Sequence, residues 1–303
     1  MEERYYSFNR YLRERFGCRV HKIGMDAGLP CPNKEKNGGC VFCLNEAFCP
    51  PSRKPLPVHE QIKQGIESGK NRFHAERFMA YFQARTNTAA PPAVLKEIYD
   101  VIRAFPEIVA LAIGTRPDCV DEQRLDLIAS YAKKYEVWME YGLQSIHDKT
   151  LKTINRNHTG EDFIHAYRMT KERGLKVCVH LIIGLPGETE EDILETAGEM
   201  GRLAVDGVKI HPLHVVKGTL LAEQYRTGDY TPWEMERYAR TCVKFLELLS
   251  PTTVIQRLTA DCPPEYLIAP GWITDKTGVV ATIASLMEDA GTVQGRKAVE
   301  GGR

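Results

Sequence analysis

Bulk charge advertises no partner in this 303-residue sequence, because Lys and Arg number 40 and Asp and Glu also number 40. That balance excludes a strongly basic nucleic-acid binder or an acidic solvating chain as the dominant character. There is also no apolar run of the roughly 18 residues that a membrane span needs. The charged opening MEERYYSFNRYLRERFG lacks the apolar core of a secretory signal. The expectation is a cytoplasmic protein with no membrane partner. No internal repeat of fixed period occurs, and no segment reads as a separate RNA-binding domain. Nothing in the sequence sets an oligomeric state. Cysteine is not scarce: there are nine. A reducing compartment and an odd count argue against a disulfide framework, which leaves a metal site or buried apolar thiols.

Hydrophobic residues make up 43% of the chain, ample for a core. Residues 1–90 hold 15 Lys and Arg against 9 Asp and Glu, so the N-terminal third is mildly basic. From residue 19 onward, strand-like runs alternate with amphipathic helical stretches. The strands are expected at 19–25, 78–82, 108–113, 136–141, 176–183, 207–210 and 254–258. Helices are expected at 91–104, 122–134, 160–173 and 190–203, the last opened by a Thr189–Asp192 capping box. Such alternation predicts βαβ units around a parallel sheet, here an α/β fold of the partial (β/α)6 barrel type, whose functional groups gather at the C-terminal strand ends. Residues 1–230 are expected to form the barrel. Residues 231–303 are expected to form a small, mainly helical C-terminal extension packed on it, with the last ten or so disordered.

Residues 26–56 break the rhythm as a long loop rich in Gly, Pro and Asn, and loops of that length are usually functional. They contain Cys31-Pro-Asn-Lys-Glu-Lys-Asn-Gly-Gly-Cys40-Val-Phe-Cys43. Two cysteines separated by two residues can ligate one centre, and Cys31 would complete a three-thiolate face. Gly38 and Gly39 permit a tight turn. A four-iron cluster with one open iron fits three ligands; structural zinc fits the pair spacing but wants a fourth ligand, for which Cys49 and His21 are the nearest candidates. Three coincidental core thiols are the remaining reading.

With HKIGMDAGLPCPN, GGCVFC, AYFQARTNT, IGTRPDC, EYGLQSIHDKTL, NRNHT, IIGLPGET and QRLTADCPPEYLIAP, the chain resembles the radical S-adenosylmethionine (SAM) superfamily over about residues 5–275. Its eight-residue first gap departs from the usual CxxxCxxC. It is shared with the elongator catalytic subunit branch and with the YhcC/YtqA-like subfamily, which the chain resembles most. The resemblance implies a [4Fe–4S] cluster on Cys31, Cys40 and Cys43, with SAM chelating the fourth iron. The cofactor's C–S bond would then be cleaved reductively to a 5′-deoxyadenosyl radical. It places Phe42 near the adenine, Gln83 and Thr86 near the methionine amino group, and Thr115 or Asp118 beside it. Gln144 and Ser145 fall where relatives bind the ribose, Arg156 where the methionine carboxylate is neutralised, and His180 and Gly184 where strand ends meet the nucleoside. A strand-end Gln or Thr also serves as an ordinary cap, and a histidine in an apolar strand is often a satisfied core residue.

The resemblance further implies tRNA wobble-uridine modification, with an electron donor such as flavodoxin or ferredoxin. A small molecule or a protein side chain is the alternative substrate. A zinc-stabilised RNA- or protein-binding module and a redox sensor are the non-catalytic readings. Tyr5, Tyr6, Phe8, Tyr11 and Phe16, interleaved with arginines, fit either RNA contact or a helix packed on the barrel. His211 and His214 read as structural, with active-site lining as the alternative, and Cys18, Cys178 and Cys242 as apolar core. Cys49, Cys119 and Cys262 neighbour family-like motifs and are candidate catalytic thiols, but they form no ligand-spaced second set.

Overall fold

The computed structural model describes residues 3–44 and 56–298. After helix α1 (Phe8–Phe16), strands β1 (Val20–Met25), β2 (Arg77–Phe82), β3 (Ile108–Thr115), β4 (Glu136–Gln144), β5 (Lys176–Ile183) and β6 (Gly207–Pro212) follow in chain order. Their near-continuous burial is what a parallel sheet covered on both faces requires. Intervening helices include α2 (Pro32–Asn37), α3 (Val58–Phe73), α4 (Pro92–Asp100), α5 (Glu122–Ala129), α6 (Asp148–Thr153), α7 (Gly160–Glu172) and α8 (Glu190–Arg202). Capping boxes at Thr159–Asp162 and Thr189–Asp192 start α7 and α8.

Seven strands form one curled, all-parallel sheet in the order β1-β2-β3-β4-β5-β6-β8, where β8 is Val254–Arg257. Residues after 230 therefore supply a strand of the main sheet as well as α10 (Met235–Leu248) and α11 (Lys276–Asp289). They also share its core: Tyr238 is buried and donates its hydroxyl hydrogen bond to the Leu258 carbonyl at 3.0 Å. Two-residue β7 (Val215–Val216) pairs antiparallel with β9 (Leu267–Ala269), and α9 (Leu220–Thr227) lies between β7 and β8 in the chain. The tail corrects the expectation of disorder as far as it is described. Gln294 is buried and donates to the carbonyls of Ser250 and Thr253, because its amide satisfies the end of α10 and the start of β8. Residues 299–303 lie outside the described residues, as does Cys49.

Side chains alternate across each strand, so the barrel interior is built in layers. At the bottom, Val20, Met79, Ala110, Trp138 and Cys178 form one apolar cluster with Tyr11 and Leu12 of α1. Tyr11 meets Trp138 edge-on at 5.6 Å, and Phe8 does so at 6.4 Å. The N-terminal aromatics are thus committed to plugging the barrel, and Arg10 and Arg15 pair with Glu14 and Glu136. Burial of this aromatic set, at about 25 cal/mol per Å², is what holds α1 in place.

Candidate active site

The cysteine loop is fixed by backbone geometry and by asparagines. Pro32 occupies the first turn of α2, and Gly38 ends that helix at φ 77°, followed by Gly39 at φ 90°. Two successive left-handed residues need glycine. The Val41 amide donates to the Ile154 carbonyl at 3.1 Å, and the Leu221 amide to the Val41 carbonyl at 2.9 Å. Asn155 donates its amide to the carbonyls of Asn37 at 2.9 Å and Gly39 at 2.7 Å. Asn157 donates to Asn33 Oδ1 at 2.9 Å, and Asn33 donates to the Asn155 carbonyl at 2.8 Å. Asn155 and Asn157 sit at φ 53° and 55°, a region asparagine tolerates better than most residues.

Cys31, Cys40 and Cys43 open into one cavity of about 290 Å³ at the C-terminal ends of the strands. Phe42, Gln83, Thr86, Thr115, Gln144, Arg156 and His180 line it too, so seven of the nine expected cofactor contacts are brought together with the thiols. The upper interior layer is sparse because three of its positions are glycine: Gly24, Gly114 and Gly142. A Cβ on Gly142 would sit 2.7 Å from Arg156 Nη2 and 3.0 Å from Gln144 Nε2. Arg156 donates to the Gly142 carbonyl at 2.5 Å, to His158 Nε2 at 3.0 Å and to Cys40 Sγ at 3.5 Å. Gln144 takes φ 78°, a left-handed conformation where β4 ends.

Two expected contacts are not on the cavity wall. Ser145 is buried beneath it, donating to Glu188 Oε1 at 2.5 Å and accepting from the His147 amide. The strand-end turn rotates its hydroxyl toward α8. Burial pushes Glu188 up to about 7, so Ser145 and Glu188 form a local structural pair. Gly184 packs instead against Trp233, 3.5 Å from where its Cβ would be, and its carbonyl accepts from Tyr230. Asp118 is held in a bidentate pair by Arg116, with both contacts at 2.9 Å. His211 and His214 line the cavity, the alternative to the structural reading, because β6 ends on its rim. Cys119 and Cys262 do not line it. Burial raises both thiols, Cys119 to about 11, which removes the usual signature of a reactive cysteine. Cys178 and Cys242 are buried core thiols as expected, and Cys18 is partly buried.

The middle interior layer was not legible as a site in the sequence, yet it is the most charged part of the barrel. Glu140, fully buried on β4, accepts from Lys22 of β1, from Lys209 of β6 and from His180 of β5. Both lysine ammoniums also lie over the Tyr81 ring, at 4.1 and 4.3 Å from its centroid. Glu140 is held well below the usual carboxylate range: desolvation acts the other way, but the two lysines outweigh it. Burial lowers His180 to about 4, with Lys209 adding to the effect, so its imidazole is neutral. The available signal was parity: Lys22, Glu140 and Lys209 are charges at mid-strand inward positions of β1, β4 and β6.

The donor set fits a cluster better than a single ion. Tetrahedral zinc at about 2.3 Å from each sulfur would bring its ligands within about 4 Å of one another. Among the described residues, the one group of three or more such ligands whose atoms all lie within 4.8 Å is His147, Asp192 and Glu195, so the three thiols are spread wider than that. Burial, then the neighbouring Cys40 thiol, pushes Cys43 up to about 12, so it ionises readily only against a cationic centre. Two buried polar atoms on the wall, Thr86 Oγ1 and Arg116 Nη1, have no hydrogen-bond partner among the described residues. With the glycine layer they leave a polar cradle beside the thiols, as SAM requires.

The curled parallel half-barrel, with three thiols at its C-terminal strand ends, defines a fold of the radical SAM type. Residues 36–200 match the radical SAM superfamily and residues 205–289 its C-terminal domain, and the chain belongs to that superfamily. It is 39% identical to Escherichia coli YhcC, covering 90% of this chain and 89% of that one. Bacillus subtilis YtqA is 35% identical, with 97% and 93% covered. A tRNA uridine(34) acetyltransferase of Methanocaldococcus jannaschii is 33% identical over 164 residues, 53% of this chain and 30% of that protein. The archaeal Elp3 structure from Methanocaldococcus infernus superposes with a TM-score of 0.70 at 21% identity, over 91% of this chain and 64% of that one, which shows a shared fold. No helix among the described residues is long and apolar enough to cross a membrane.

Proposed function

We propose that the chain holds a [4Fe–4S] cluster on Cys31, Cys40 and Cys43, cleaves SAM reductively there, and uses the resulting 5′-deoxyadenosyl radical to modify the wobble uridine of a tRNA. The observation that carries the first part is the gathering of three widely spaced thiols, Arg156 and a glycine-lined wall in one cavity. Bound together, cluster and SAM supply an electron to the sulfonium and a carbon radical able to take a hydrogen from substrate. The protein's own part is positional. Arg156, locked by Gly142 and His158, offers a planar fork to the methionine carboxylate. The α1 plug closes the barrel bottom to water.

The tRNA reading rests on the uridine(34) enzyme of Methanocaldococcus jannaschii, which shares about half of this chain. An electron donor of the flavodoxin or ferredoxin type is part of the same proposal. Anaerobic reconstitution with iron and sulfide tests the chemistry: reductant and SAM should give 5′-deoxyadenosine and methionine, and Cys40→Ala should give neither. One zinc per chain and no cleavage after reconstitution would sink the proposal. Nucleoside mass spectrometry of tRNA from a deletion strain tests the substrate, and an unchanged wobble profile speaks for a small molecule or protein side chain.

A further inference from the structure

The middle layer of the barrel holds more positive charge than its described neighbours answer. Register pairs neutral His180 with Lys209 and Lys209 with Arg257, so two cationic side chains stand side by side across β6 and β8. Like charges on directly opposed residues of neighbouring strands repel. Lys22 adds a second ammonium, and the two lysines share a single carboxylate, Glu140. Asp261, the other acid on the wall, is paired with Lys276 at 2.7 Å. At the cysteine end the guanidiniums have work: Arg116 holds Asp118, and Arg156 holds the Gly142 carbonyl and Cys40. Arg257, exposed at the open side of the cavity it lines, makes no ion pair with a described residue, and its charge helps hold His211 well below the usual imidazole range, after burial.

A cationic floor under low-dielectric walls focuses its field into the space above. At about 290 Å³ that space admits a small molecule or a single extruded base rather than a stretch of helix. We propose that the cavity floor binds the oxyanion group, carboxylate or phosphate, of a small second substrate between Arg257 and Lys209. The assignment rests on the cavity being the active site. A guanidinium fork beside an ammonium point charge, with neutral His211 as a further hydrogen-bonding group, is the donor set such a group takes.

Calorimetric titration of the reconstituted protein at low ionic strength, with acetate and with inorganic phosphate separately, tests it and shows which oxyanion is preferred. One of the two should bind, and Arg257→Gln should weaken that binding by about tenfold, the loss of one charge-assisted contact. Arg257→Lys, which keeps the charge but loses the fork, should weaken binding less than Arg257→Gln does and more than about threefold against the parent. Failure of both anions to bind, or equal binding to the parent and Arg257→Gln, overturns the proposal. SAM and reductant are absent from this titration. A protein that binds the anion yet never cleaves SAM therefore keeps the anion site and loses only the enzyme reading.

Discussion

Replacing Glu140 by glutamine keeps the shape of the barrel's middle layer and removes its one buried negative charge. Lys22 and Lys209, only 19% and 8% exposed in their side chains, then face each other's charge across the Tyr81 ring without their acceptor. Breaking a buried ionic network from one side costs about 3–5 kcal/mol. For a chain of this size, at about 2 °C per kcal/mol, the melting temperature falls by roughly 6–10 °C. The variant can relieve part of the penalty by releasing a proton, and the direction of that effect is fixed. Burial already lowers Lys22 to about 7, while Glu140 acts to raise it. Between that value and its unfolded value near 10.5, the unfolded chain holds the extra proton, so stability rises with pH across this window. Without Glu140 the lower edge of the window moves below 7. The deficit of Glu140→Gln against the parent should therefore be largest near pH 6 and shrink toward pH 8.5. Thermal melts at both values, under anaerobic conditions, read it out. A loss under about 1 kcal/mol, or one that is the same at both values, would refute the account of this layer as an ionic network.

Three further outcomes follow from the site geometry. Arg156→Lys keeps a charge but loses the fork that spans the Gly142 carbonyl and His158, so SAM affinity should fall about tenfold in equilibrium dialysis; an unchanged Kd would remove Arg156 from the carboxylate role. Asn155→Ala deletes both amide anchors on the cysteine loop, about 1–2 kcal/mol, and should speed iron loss to a chelator severalfold; retention at the parental rate would show the loop is held elsewhere. His180 is buried neutral with its folded value near 4, below the unfolded value near 6.5. Protons therefore favour the unfolded chain as pH falls through that interval. Stability should decline from pH 6.5 to 4, and His180→Gln should flatten the curve; identical slopes in melts of the two proteins would count against it.

The sheet was almost wholly legible because parallel strands buried on both faces read as short apolar runs between amphipathic helices; all six of β1–β6 fall where expected, within a few residues at their ends. The thiol triad was legible because ligand spacing is local in sequence. Ser145 and Gly184 fall off the cavity wall for one reason. A motif fixes which residue ends a strand but not the rotation of the turn that follows, and here both turns aim away from the cavity. The asparagine lattice of Asn33, Asn155 and Asn157 joins segments more than a hundred residues apart, so no local pattern could reveal it. Strand β8 shows the same limit. Its run was visible, but its place beside β6 depends on packing of α10 rather than on the run itself.

The three layers of the interior differ in what each contributes to the proposed chemistry. The apolar bottom, sealed by Tyr11 and Phe8 against Trp138, stabilises the barrel by burial and gives the layer above a low dielectric. In that dielectric the Glu140 network cannot be loosened cheaply, so Lys209 and Tyr81 are held in place rather than left to follow solvent. The glycine layer above does the opposite, removing side chains at Gly24, Gly114 and Gly142 so that room opens beside the cysteines. Rigidity below and space above are complementary requirements. On the proposed reading, a cofactor placed at the cysteines would meet a substrate group positioned by charges that have little freedom to move. A barrel with the same thiols but an apolar middle layer would be as stable or more so. Retention of four ionisable side chains there is therefore an argument that the floor serves the chemistry and not the fold.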